Sequence, residues 1–142
     1  MDYRKEYEKW LASPALSEDE RTELKALEGN DKEIKARFYG PLEFGTAGLR
    51  GTMYTGLHNM NRHVIRWATQ GFANVIRAEG EEAMKKGVAV CMDCRNHSAE
   101  FARETACVMA ANGIHVRLFE SLRPTPELSF AVREYGCQAG VN

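Results

Sequence analysis

From Gly87 onward the apolar pattern of the chain ceases to be helical and becomes a succession of short runs separated by helix-length segments. No other feature restricts the possible folds as much. Val88-Ala89-Val90-Cys91-Met92 is continuously apolar and bounded by Gly87 and Asp93, the pattern of a strand buried on both faces. Ser98 then offers an N-cap for a helix with Glu100 in its first turn. Phe101, Cys107, Val108 and Ala111 are expected to face inward, and Asn112-Gly113 ends the helix. Ile114 to Phe119 predicts the next strand, in which His115 alternates with apolar residues and is structural. Thr125 caps a further helix with Pro126 at its first position, running to about Tyr135-Gly136. Ala139-Gly140-Val141-Asn142 begins a third strand.

Strand, helix, strand, helix, strand predicts an α/β fold: a layered, mixed, largely parallel sheet flanked by helices, with right-handed crossovers. Ligands of such sheets lie beyond the carboxyl ends of the strands. Two loops of that kind are present, Asp93 to Ser98 and Ser121 to Pro126, while the third strand stops as it begins.

The first forty residues are polar and helical in pattern. Tyr3, Tyr7, Trp10 and Leu11 recur at helical spacing, and Ser13-Pro14 stops that helix. Ser17-Glu18-Asp19-Glu20 is a capping box that opens a helix to about Leu27, and Asn30 to Glu33 suggests a second box for a short helix reaching Phe38. Residues 1–40 are thus expected to be an N-terminal helical arm, and residues 41–142 the α/β domain. A long helix begins at an Asn61 N-cap, with Val64, Ile65, Ala68, Phe72, Val75 and Ile76 on one face, and frays into the charged run Glu79 to Lys86.

Between arm and helix lies Phe44-Gly45-Thr46-Ala47-Gly48-Leu49-Arg50-Gly51, three glycines at intervals of three with one Arg between the last two. Glycine admits φ > 0 or close approach, so this is a shaped loop. Free backbone N–H groups and one guanidinium suit phosphate recognition; the same letters also suit a structural turn between two strands. Asp93 and Arg95 either pair with each other or face a ligand. Arg50, Arg62, Arg95 and Arg123 all fall in or near loops, and would form a cationic pocket if several converged. His58 and His97 are loop residues within reach of an anion or simply of solvent. There is no G-x-S-x-G, Walker or G-x-G-x-x-G motif.

A chain of 142 residues is enough for one domain. Nineteen Lys and Arg against twenty Asp and Glu leave a net charge of −1, which gives no case for nucleic acid or an anionic membrane. No apolar run reaches membrane length and Met1 to Glu6 has no signal core, so the cytoplasm is the expected compartment. Cys91-Met92-Asp93-Cys94 matches C-x-x-C; a thiol or zinc role competes with two free thiols, and the pair follows a strand rather than opening a helix.

The ordered set of motifs carries a family resemblance. Phe44 to Gly51 resembles the opening motif of the α-D-phosphohexomutases, the phosphoglucomutase/phosphomannomutase family. Ala68-Thr69-Gln70-Gly71, Asp93-x-Arg95-x-x-Ser98 and Arg123-Pro124-Thr125-Pro126-Glu127-Leu128 follow in the family's order. The chain from about Tyr3 resembles the first domain of the branch with a helical arm. The resemblance implies an enzyme that interconverts hexose 1- and 6-phosphates through a phosphoserine and a hexose 1,6-bisphosphate, with Mg²⁺ held by a loop of another domain. It implies that Arg50 supports the phosphoserine loop and the transferring phosphoryl group. Gly45, Thr46 and Gly48 would frame Arg50, and Asp93 and Arg95 would shape the substrate-facing wall. The serine would follow Asn142 by a few residues, so the 142-residue chain is expected to be inactive alone. Its partners would be a phosphosugar and the remaining domains of the enzyme, with self-association possible through an uncovered sheet edge. Where many relatives read Gly-x-Asn-Arg-Met-Asn, this chain reads Gly56-Leu57-His58-Asn59-Met60-Asn61, and no role carries over to Asn59. The competing reading is a standalone, non-catalytic phosphosugar- or anion-binding module.

Overall fold

Local capping chemistry sets the first three helices of the computed structural model, which describes residues 2–46 and 48–142. Ala47, within the glycine-rich stretch, lies outside the described residues. Helix α1 (Tyr3–Leu11) starts at Asp2, whose carboxylate accepts from the N–H groups of Arg4 and Lys5. Helix α2 (Glu18–Lys25) opens with a complete capping box: the Ser17 hydroxyl accepts from Glu20 N–H and the Glu20 carboxylate from Ser17 N–H. Helix α3 (Asp31–Phe38) has half a box. Asn30 accepts from Glu33 N–H, but the Glu33 carboxylate turns to Arg37 at 2.9 Å. An i,i+4 ion pair has outcompeted the cap.

Contacts divide the chain into two compact units, Met1–Val64 and Ile65–Asn142. In the first, Tyr7, Leu16, Leu24, Leu27, Ile34, Phe38 and Leu57 form the core. The fully buried Phe38 ring receives Tyr7 and Trp10 edge-on, with centroids at 5.6 and 5.7 Å, a preferred aromatic geometry. The aromatic stripe on α1 therefore has its partner surface within this unit. A two-stranded antiparallel hairpin follows, β1 (Phe44–Gly45) and β2 (Gly48–Leu49), with Gly45 opposite Gly48. The long helix α4 (Arg62–Ala78) begins where expected, with the Asn61 side chain accepting from His63 and Val64 N–H at 3.1 Å.

The second unit is an α/β sandwich. Strands β3 (Val88–Val90), β4 (Val116–Leu118) and β5 (Ala139–Val141) form a parallel sheet in the order β4-β3-β5. Between them run α6 (Ser98–Ala111) and α7 (Thr125–Glu134), and a short helix α5 (Glu81–Lys86) precedes β3, occupying the charged run read as a helix end. The period-2 alternation of the central strand sorts the layers. Val88 and Val90 pack with Ala73, Ile76, Ala102 and Met109 from α4 and α6, whereas Ala89 and Cys91 pack with Leu128 of α7. Both faces of β3 are covered, which is why its sequence is apolar without interruption.

Several details differ from the sequence reading. The buried stripe of α6 is Ala102, Thr105 and Met109, while Cys107 and Ala111 face out. On α4, Val75 is 56% exposed and Thr69, Ala73 and Ile76 are buried. In both helices the small residues lie inward. Thr69 and Thr105 meet through their hydroxyls, and Gln70 pairs with Asn112. Ala73, Ala102, Thr69 and Thr105 share that buried surface with the larger Ile76 and Met109. The second strand is shorter than expected: His115 is exposed and precedes β4. Ser98 is not the cap of α6. His97 holds that place in a left-handed conformation (φ 62°), and the Ser98 hydroxyl accepts from Asp93 N–H. Likewise Pro124, not Thr125, precedes the first turn of α7.

Candidate functional site

The glycine-rich stretch of the first unit is a strand turn that displays a cation. Gly48 sits at φ 100°, a conformation that costs a side-chain-bearing residue about 1–2 kcal/mol. Gly51 lies against Leu42, where an added Cβ would come within 3.1 Å of the Leu42 side chain. Between these two constraints stands Arg50, exposed and, among the described residues, without a hydrogen-bond or ion-pair partner. It borders a cleft of about 390 Å³ with Gly51, Thr52, Tyr54, Asn59 and Glu33 on its walls. Gly45 and Thr46 precede the turn and are exposed.

Beneath that cleft the chain from residue 51 to 61 is tied down heavily. Arg37 is 7% exposed. It donates to Glu33 at 2.9 Å, to Glu23 at 2.5 Å and to the Thr55 carbonyl at 3.4 Å, and lies 4.3 Å below the Tyr54 ring. Glu23 also accepts from the Thr55 N–H and hydroxyl. The buried charge is therefore paired and hydrogen-bonded on several sides, as burial requires. His58 is spent locally. Its Nδ1 faces the carbonyls of Gly40 and Pro41, so that nitrogen carries the proton, and Nε2 accepts from the Tyr39 hydroxyl. None of Glu23, Arg37 and Thr55 was visible as a group in the sequence.

In the second unit the sheet order creates a switch point. Adjacent strands β3 and β4 lead to helices on opposite faces, the arrangement at whose carboxyl ends α/β sheets bind ligands. The β3 loop is hydrogen-bonded internally. Asp93 accepts from Arg95 N–H at 3.0 Å and from the Arg95 guanidinium at 2.8 Å, while its own N–H is held by Ser98. Asp93 and Arg95 thus come together as a pair, with the Arg95 side chain 79% exposed. Arg123 donates to Glu127 at 3.0 Å, while its N–H reaches the Met92 carbonyl. Arg62 is committed to Glu20 at 2.6 Å. Three of the four loop-associated arginines are therefore ion-paired within their own units.

Cys91 is buried, and burial raises its thiol pKa above the ordinary value; its Sγ donates to the Arg123 carbonyl at 3.3 Å. Cys94 is exposed, and no group of three or more His, Cys, Asp or Glu residues suited to a metal occurs among the described residues. A protonated, buried thiol is a poor nucleophile.

The sequence model of "phosphoglucomutase/phosphomannomutase, alpha/beta/alpha domain I" matches residues 41–142. The chain belongs to this family. A phosphopentomutase of Homo sapiens is 37% identical over 120 residues, covering 80% of this chain and 20% of that protein. A phosphoglucomutase of Staphylococcus saprophyticus is 37% identical over 111 residues, 78% of the chain and 20% of the relative. A phosphomannomutase of Mycoplasma pneumoniae is 30% identical over 139 residues, 96% and 25%. The chain thus spans about a fifth to a quarter of the length of these relatives. No solved structure matches. The parallel sheet with helices on both faces agrees with the α/β/α description of that domain. No helix among the described residues is long and apolar enough to cross a membrane.

Proposed function

We propose that residues 41–142, with residues 1–40 as a helical arm, serve as the first domain of a cytoplasmic phosphomutase that interconverts hexose 1-phosphate and hexose 6-phosphate. The reaction would proceed through a phosphoserine and a bisphosphorylated sugar. What supports the reading is Arg50: an exposed guanidinium on a glycine-shaped turn, unengaged among the described residues, in a chain whose other loop arginines are paired. Charge builds on the equatorial oxygens of a transferring phosphoryl group, and a fixed guanidinium there stabilises it without reorganising. Gly45, Thr46 and Gly48 set the path of the backbone into Arg50. Arg95, restrained by Asp93, would orient the sugar phosphate beyond the carboxyl end of β3.

The donor set present does not suit Mg²⁺, since no cluster of three or more candidate ligands occurs among the described residues. The metal implied by the family would be held by other parts of the enzyme, and no role is assigned to it here. In an intact phosphomutase carrying these residues, Arg50→Ala should lower kcat about 100-fold or more, the order seen for a lost transition-state donor, with a smaller change in KM. A coupled assay of glucose 1-phosphate turnover measures both, and an unchanged kcat would remove Arg50 from the mechanism. The purified 142-residue chain should show no turnover in the same assay.

A further inference from the structure

The segment that carries Arg50 is tied to a side chain nine positions away, Asn59. Thr52, two residues after Arg50, is gripped twice. Its carbonyl accepts from Met60 N–H at 2.9 Å and its hydroxyl accepts from the Asn59 side-chain amide at 2.8 Å. Asn59 is 5% exposed and is itself fixed, because its carbonyl accepts from Asn61, which also bonds the carbonyls of Tyr54 and Gly56. Arg50 has no tether of its own among the described residues. Its position is therefore inherited from Gly51 on Leu42 and from Thr52 on Asn59.

Resting on the phosphomutase reading, we infer that Asn59 is a positioning residue: its amide, through Thr52, sets the backbone that aims Arg50. One feature separates this role from ordinary stabilisation. The Asn59 Oδ1 atom is buried and has no hydrogen-bond partner among the described residues. A buried acceptor left unpaired costs stability, and replacing it with an apolar group of similar shape is close to neutral. Asn59→Leu therefore removes the grip on Thr52 and an unfavourable acceptor together. Positioning is lost while global stability is nearly retained.

The test uses the intact phosphomutase with four variants, Asn59→Leu, Thr52→Val, Thr52→Ser and Arg50→Ala, in the coupled glucose 1-phosphate assay, with melting followed in parallel. Loosening a supporting contact of a reacting group lowers rate by about 10- to 100-fold. Asn59→Leu and Thr52→Val should each lower kcat by about 10-fold or more with KM within 2-fold. Thr52→Ser, which keeps the hydroxyl, should restore the rate. The double variant Asn59→Leu/Thr52→Val should be no slower than either single one, since both delete the same bond. If Arg50→Ala is slow while Thr52→Val and Thr52→Ser both match wild type, the inference is overturned and the phosphomutase role of Arg50 stands. If Arg50→Ala itself runs at the wild-type rate, the reading beneath it fails. Should Asn59→Leu melt early, the Thr52→Val and Thr52→Ser pair decides the question alone.

Discussion

Glu23→Ala probes the anchor beneath the Arg50 segment, and its cost follows from three donors. The Glu23 carboxylate accepts from Arg37 at 2.5 Å, from Thr55 N–H at 3.2 Å and from the Thr55 hydroxyl at 2.5 Å. Thr55 is 4% exposed, so its stranded N–H and hydroxyl cost about 1–3 kcal/mol together. Arg37 retains Glu33 and the Thr55 carbonyl, so its charge is not orphaned and the roughly 3–5 kcal/mol of a fully broken buried pair is an upper bound. The Glu23 side chain is itself 35% exposed, and water entering there lowers the cost further. The expected loss is about 3 kcal/mol, or about 10 °C in Tm for a chain of this size. Glu23→Gln keeps an acceptor oxygen for Thr55 but loses the charge, and should fall midway. Urea unfolding of the 142-residue chain measures both through the midpoint at unchanged slope. A loss below about 0.5 kcal/mol for Glu23→Ala, the range of an ordinary surface change, would show that the network is not a structural anchor.

Three further outcomes follow from the same geometry. Burial raises the Glu20 pKa, but the Ser17 N–H, Arg62 and His63 together outweigh it and leave that carboxyl below its ordinary value. A carboxylate lowered in the folded state adds stability above its unfolded pKa and loses it as pH falls through the folded one. The stability gap between wild type and Glu20→Gln should therefore close from about pH 5 downward, and a gap independent of pH in acid unfolding curves would refute the linkage. Gly48→Ala should cost only the left-handed backbone penalty, about 1–2 kcal/mol, since nothing lies within 4 Å of the added Cβ. Gly87→Ala, with φ 69° and its Cβ 2.0 Å from the His115 carbonyl oxygen, should prevent the second unit from folding; comparable Tm values for the two variants would contradict this. Native thiol labelling should modify Cys94 and Cys107 readily, Cys137 slowly and Cys91 only on unfolding. Rapid modification of Cys91 would contradict its buried placement.

The parts of the molecule legible in sequence are those whose partners lie within four residues. The Ser17–Glu20 box and the Asn30 and Asn61 caps could be read from adjacent letters, whereas the pairing of Glu33 with Arg37 displaced the box expected at Asn30. The glycine spacing announced a shaped turn, although whether it served a ligand or joined two strands was open. The structure makes it a hairpin that also exposes Arg50. Val75, Cys107 and Ala111 are exposed although their apolar character and spacing place them inward on α4 and α6.

By itself the sequence determined the succession of strands and helices in the second unit, the starts of α2, α3 and α4 and the family motifs, because these depend on short-range hydrogen bonds and on burial periodicity. Tertiary structure alone decided where the polar side chains went. Glu23 reaches Thr55 across 32 residues, Arg37 reaches Glu23 across 14, and Asn59 reaches Thr52 from the far side of a loop. Each of these side chains is ordinary in its local window. What selects its partner is the desolvation of both groups when the chain closes, and that exists only once the two segments have met.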